Sequence, residues 1–147
     1  MLLHKNNKFV YDNRAAIELP DNIYLDPCPD PCPTEGMVLY SEDQLAKVEI
    51  HFVNTKRDAE TFLKESTEVF DSFQCTKPVA CVKTNGIDGF TVSYTTNRFI
   101  YEEYVFVIPG EEQTLLNICF EQKKNKPANQ EIYAKMRDEL ITKVFPA

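Results

Sequence analysis

The ten residues Phe99-Ile-Tyr-Glu-Glu-Tyr-Val-Phe-Val-Ile108 constrain the fold more than any other part of the chain. Side chains alternate across an extended strand, so Tyr101, Val105 and Val107 share one face while Ile100, Tyr104, Phe106 and Ile108 share the other. Neither face suits bare water, and such a strand belongs in a sheet covered on both sides. Thr114 to Phe120, reached through the turn Pro109-Gly110-Glu111-Glu112, reads as its neighbour, and the two are expected at the sheet's centre.

Two amphipathic segments can supply the covers. After Asn54-Thr55, the residues Ala59, Phe62, Leu63, Val69, Phe70 and Phe73 fall on one helical stripe. Thr55 and Asp58 have the spacing of a capping box, although Glu or Gln is the usual partner of the cap. A closing helix from about Asn129 places Ile132, Tyr133, Met136, Leu140, Ile141 and Val144 at helical spacing, after Lys-Asn-Lys-Pro.

The remaining segments are extended. The first thirty-six residues read as a strand followed by irregular chain, with Phe9 to Tyr11 leading to Ala15 to Leu19, a turn at Pro20-Asp21-Asn22 and then Ile23 to Leu25, and His4 lies near a frayed end. Met37 to Tyr40 and Ala46 to Val53 flank Ser41-Glu42-Asp43 as a hairpin. In its second strand Ala46, Val48, Ile50 and Phe52 form a core face opposite Lys47, Glu49 and His51. Pro78 ends the first helix region, and Val79 to Val82 pairs with Phe90 to Tyr94. The two turn signals between them, Asn85-Gly86 and Asp88-Gly89, are too far apart for a two-residue hairpin and predict a looser one.

At 147 residues, with 43% hydrophobic and 27% charged side chains, the chain is expected to be one soluble domain, 1–147, able to bury its own core. The formal charge of -7 argues against sequence-independent nucleic-acid binding and against anionic membranes, both of which need clustered cations. No apolar run approaches the roughly 20 residues of a membrane helix, and Met1-Leu2-Leu3 is broken at once by His4-Lys5, so a cytoplasmic location is expected.

The order of an N-terminal strand carrying Glu18-Leu19-Pro20 followed by Ile23-Tyr24, a hairpin, the Ala59 to Phe73 helix, antiparallel strands and a C-terminal helix resembles the Mog1/PsbP-like superfamily. The resemblance covers most of the chain and implies an α+β fold, an antiparallel sheet covered by helices. Members act as small-GTPase adaptors or photosystem subunits through their surfaces. No functional residue carries over, because no family binding motif matches positions here.

Candidate chemistry is sparse. Pro27-Cys28-Pro29-Asp30-Pro31-Cys32-Pro33 is a stiff loop whose Cys28 and Cys32 are close enough in sequence for a disulfide or a soft metal, with Cys75 and Cys81 as possible helpers. The spacing is not that of a common zinc knuckle, and the competing reading is a proline-rich connector with incidental cysteines. That reading makes Cys81 and Cys119 small apolar strand residues. His51 is the one histidine placed to act as a base, but its company of Lys47 and Glu49 favours an ordinary polar strand face. Glu102 and Glu103 point to opposite faces and so form no acid–base couple. With four glycines and no phosphate-loop or dinucleotide pattern, nucleotide chemistry is not expected.

Tyr94, Tyr101 and Tyr104 lie on neighbouring strands, either as a recognition patch or along the sheet–helix interface with hydroxyls at its rim. The reading that follows is a non-catalytic protein-binding or adaptor module without a cofactor, whose partner is another protein. The alternative is a thiol-dependent redox or metal-binding protein using Cys28 and Cys32, and a small hydrolase using His51 ranks last.

Overall fold

The computed structural model describes residues 2–5, 8–11, 15–18, 23–26, 35–41, 45–68, 74–110, 113–125 and 130–146. Its elements are β1 (Leu2–Lys5), β2 (Lys8–Tyr11), β3 (Ala15–Glu18), β4 (Ile23–Asp26), β5 (Glu35–Ser41), β6 (Ala46–Asn54), α1 (Ala59–Glu68), β7 (Gln74–Thr84), β8 (Ile87–Thr95), β9 (Phe99–Ile108), β10 (Thr114–Lys123), α2 (Gln130–Thr142) and β11 (Val144–Pro146). The long strands form a seven-stranded antiparallel sheet in the order β4-β5-β6-β10-β9-β8-β7, and a four-stranded sheet has the order β1-β2-β3-β11. The fold is α+β, and the two-sided strands β9 and β10 sit at the centre of the larger sheet as their composition requires.

Alternation divides the large sheet into two faces. Ala46, Val48, Ile50 and Phe52 of β6 join Tyr104, Phe106 and Ile108 of β9 and Leu116, Ile118 and Phe120 of β10 in one core. Tyr133, Met136 and Leu140 of α2 cover it, together with Ala15, Ile17 and Val144 from the small sheet. Two of its aromatic contacts are edge-on, Tyr104 to Phe120 at 5.8 Å and Phe120 to Tyr133 at 6.4 Å, while Tyr104 stacks near-parallel to Phe106 at 6.2 Å. Arg137 of α2 closes this side with two contacts to Glu102, 3.0 and 3.2 Å from its carboxylate oxygens. On the other face Ala59 and Leu63 of α1 pack with Val92, Tyr94, Val105 and Leu115. No helix among the described residues is long and apolar enough to cross a membrane.

Several expectations need correction. Asp58, not Thr55, caps α1: it accepts the Thr61 amide at 2.9 Å and the Thr61 hydroxyl at 2.8 Å, and these bonds hold its carboxyl below the usual range. The described helix ends at Glu68, and Val69, Phe70 and Phe73 lie outside the described residues. His4 lies in β1, paired with Phe9 of β2, rather than at a frayed end. Val144 is in β11, opposite Ile17, and not on α2. Pro78 lies inside β7, where register shifts between Cys75 and Lys77 and between Lys77 and Ala80 absorb its missing donor on an edge strand.

The β7–β8 connection is tight, not loose. Thr84 pairs with Ile87, and Asn85 and Gly86 have φ of 46° and 81°, the left-handed pair a two-residue turn requires. Asp88-Gly89 is therefore strand. Gly89 faces Phe106, and a Cβ there would lie 2.5 Å from the Val105 carbonyl oxygen and 2.6 Å from the Phe106 ring. The second Gly reports close packing, not a turn.

The Asn85 side chain also donates to the carbonyls of Thr142 at 2.9 Å and Val144 at 2.6 Å, and the Thr84 hydroxyl donates to that of Ile141 at 2.8 Å. The turn thus satisfies the last two carbonyls of α2 and the first of β11. Asn85→Ala is expected to lower the unfolding free energy by roughly 2–4 kcal/mol, combining left-handed strain with two lost hydrogen bonds. Asn85→Gly keeps the turn and is expected to lose about half as much in urea unfolding.

Candidate functional site

On the α1 side, the odd-numbered residues of β9 and β10 and the even-numbered ones of β8 point the same way. Tyr94, Tyr101, Glu103, Asn117, Cys119 and Glu121 therefore converge, joined by Lys47 and Glu49 of β6 and Ser66 of α1, around a cavity of about 290 Å³. A second cavity, about 320 Å³, is lined by Tyr40, Leu45, Ala46, Phe99, Gln122 and Lys123 and shares Lys47 and Glu121 with the first. Together they make a two-lobed groove in which Lys47 and Glu121 form the divide.

Glu103 is the floor of the first lobe, only 5% exposed. Asn117 donates to its Oε1 at 3.2 Å and to the Tyr104 carbonyl at 3.1 Å, and the Tyr94 hydroxyl donates to Oε2 at 3.4 Å. Burial dominates its titration and pushes the carboxyl from its ordinary 4.5 up to about 6, with Glu49 adding to the rise and bonds from Asn117, Ser66 and Tyr94 opposing it. Burial likewise pushes the Cys119 thiol well up, helped by the Glu103 charge, and raises the Tyr94 and Tyr101 phenols. The Cys119 sulfur lies 3.9 Å from the Tyr94 hydroxyl.

The divide is ionic. Lys47 Nζ lies 3.1 Å from Glu121 and 3.4 Å from Glu49, and Tyr101 donates to Glu121 at 2.8 Å. Partial burial pulls the Lys47 ammonium down, but Glu121 and Glu49 outweigh it and raise the pKa overall. The Tyr94 and Tyr101 rings stack, with centroids 4.9 Å apart and planes 20° from parallel, and Phe99 adjoins Tyr101 at 6.0 Å.

Of the sequence candidates, Tyr94 and Tyr101 meet in this cavity, whereas Tyr104 is separated from them. Three positions from Tyr101 on one strand, Tyr104 faces α2 and is 8% exposed in the other core. His51 is half-buried on the groove side of β6, opposite Asn117 in β10 and Gly36 in β5. A Cβ on Gly36 would come within 2.4 Å of the His51 ring, so this glycine makes room for the imidazole. Cys28 and Cys32 lie outside the described residues. Cys75 and Cys81 are free and exposed on β7, with β8 and β9 between them and Cys119, so these three thiols do not gather. No cluster of three metal-ligating side chains occurs among the described residues.

Sequence reading weighed Glu103 only as half of an acid pair with Glu102 and Cys119 only as a small apolar residue, and passed over Asn117. Asn117 carries a signal, a polar residue between apolar neighbours in the middle of β10, and Glu103 a weaker one, since Glu102 beside it is also acidic. Which of them share a face, and with what, depends on register.

The chain matches no family model and no curated protein. Solved structures do match. LpqN, involved in cell envelope biogenesis of Mycobacterium tuberculosis, superposes with a TM-score of 0.63 at 13% identity, over 90% of this chain and 83% of its own. The cyanobacterial PsbP (CyanoP) of Synechocystis gives 0.61 at 7% identity, over 95% and 91%. The fold is Mog1/PsbP-like. A Pseudomonas aeruginosa protein of unknown function shares it more distantly, with a TM-score of 0.51 at 14% identity over 95% and 93%.

Because the folded-state pKa of Glu103 lies above the unfolded one, its contribution is favourable below about pH 4.5 and is lost as pH rises through about 6. Glu103→Gln is therefore expected to gain on the parent by about 2 kcal/mol between roughly pH 4 and pH 7. Paired urea titrations across that range check it, and a pH-independent difference would contradict the buried carboxyl.

Proposed function

We propose that the chain is a non-catalytic protein-binding module whose partner docks in the two-lobed groove beyond α1. The observation carrying this reading is the groove itself: two adjoining cavities sharing Lys47 and Glu121, walled by Tyr94, Tyr101, Phe99 and Tyr40. Aromatic rings beside a polar, partly wet rim are the composition of interface centres.

The site's electrostatics support binding over nucleophilic chemistry. The Cys119 thiol and the two phenols are held protonated, so the groove presents neither a thiolate nor a phenolate. The fold is shared by proteins as different as an envelope-biogenesis factor and a cyanobacterial PsbP, which fits a scaffold whose role resides in its surface.

A photo-crosslinking side chain at position 49, on the rim of the groove, is expected to give a discrete adduct in host lysate. The same group at position 138, exposed on α2, is expected to give none. Equal labelling from both positions, or none from position 49, would overturn the groove as the docking face.

A further inference from the structure

The lobe floored by Glu103 has a more specific chemistry than the groove as a whole. Its lining sets three carboxylates, Glu49, Glu103 and Glu121, against one ammonium, Lys47, and that ammonium is engaged by Glu121 and Glu49. Glu103 is bonded by Ser66 and keeps longer contacts with its other donors, 3.2 Å from Asn117 and 3.4 Å from Tyr94, where charge-assisted bonds to a carboxylate run about 2.5–2.9 Å. One wall is the stacked Tyr94–Tyr101 pair. At about 290 Å³ the space suits a single side chain.

Resting on the reading of this face as a docking site, we infer that the Glu103 lobe receives an arginine side chain of the partner protein. A guanidinium is planar and permanently charged, and it carries five donors in a rigid fork. Its face can lie against a tyrosine ring while its edge donates to Glu103 and to Glu49 at the rim. A lysine ammonium offers the charge without the plane, and an anionic group meets the excess of carboxylates. Bound guanidinium favours the ionised Glu103, so affinity rises as pH is raised from about 5 to 7. Glu49, Glu121, Lys47, Tyr94, Tyr101, Cys119, Ser66 and Asn117 face that carboxyl throughout.

The test titrates the full chain with N-acetyl-arginine amide, the lysine analogue and the uncharged citrulline analogue, following the Asn117 side-chain amide by NMR. The arginine probe is expected to shift it saturably, about tenfold more tightly than citrulline and several-fold more tightly than lysine, with Glu103→Gln removing most of that margin. Glu49→Gln, a substitution on a side chain 42% exposed, is expected to weaken binding more modestly and keeps the test open where Glu103→Gln disturbs folding. Asp88→Asn, on the β7–β8 hairpin, is expected to change nothing.

Equal response to citrulline, no saturable shift, or full affinity in both Gln variants would overturn the inference. A position-49 adduct without arginine binding overturns it and leaves the docking reading standing. Arginine binding without an adduct supports the pocket and counts against the docking reading.

Discussion

The pairing of β9 with β10 is the constraint on which the rest of the structure depends. β10 is buried along most of its length and β9 from Glu103 to Phe106 and again at Ile108, and the rest of β9 is half-buried, so each residue is committed to one of two covered faces by its parity. A slip of one residue would exchange Phe106, Ile118 and Phe120 with Val105, Asn117 and Cys119, placing the polar network under α2 and the large rings under α1. Register is therefore fixed by burial on two sides at once. The neighbours inherit it, β6 through its pairing with β10 and β8 through its pairing with β9.

The covers of the two faces differ, and that difference makes the site. Seven strands span about 30 Å, whereas a helix is roughly 10–12 Å across and shields two or three of them. On one face α2 is helped by residues from the four-stranded sheet, and the core runs from Leu39 of β5 to Ile87 of β8. On the other, α1 packs over β7, β8 and β9, and the polar residues of β6 remain half-buried beyond it. The groove lies along that boundary, which is why Ser66 at the end of α1 lines it together with Lys47 of β6.

Much of this architecture is legible in the sequence because it follows from periodicity. The two-faced character of Phe99 to Ile108, the core face of β6 and the apolar stripe of α2 are local patterns, and local patterns survive folding. Turn chemistry was readable but ambiguous: two Gly-containing signals three residues apart could not both be turns, and only the packing of Phe106 over Gly89 decides between them. β11 is three residues long and pairs with a strand more than a hundred positions away, so no local pattern announces it. The site is less legible still. Tyr94 and Tyr101 were visible as aromatics on adjacent strands, but their convergence with Lys47, Asn117 and Glu121 follows from a register spanning four strands.

Glu103 itself argues that the groove is more than an incomplete cover. An apolar residue at this position would pack with Val92 and Val105 without the desolvation that pushes the carboxyl to about 6, so the acid is a local burden on the fold. The surroundings moderate that burden without removing it: Asn117 is oriented by the Tyr104 carbonyl to donate to the carboxyl, and Tyr94 points its hydroxyl at the other oxygen. With Ser66, three further side chains are thereby arranged around one acid, and a pure packing requirement would have produced none of the four. A buried acid with preorganised donors and an open side toward a cavity is costly where only stability matters, and it is consistent with a surface shaped for recognition.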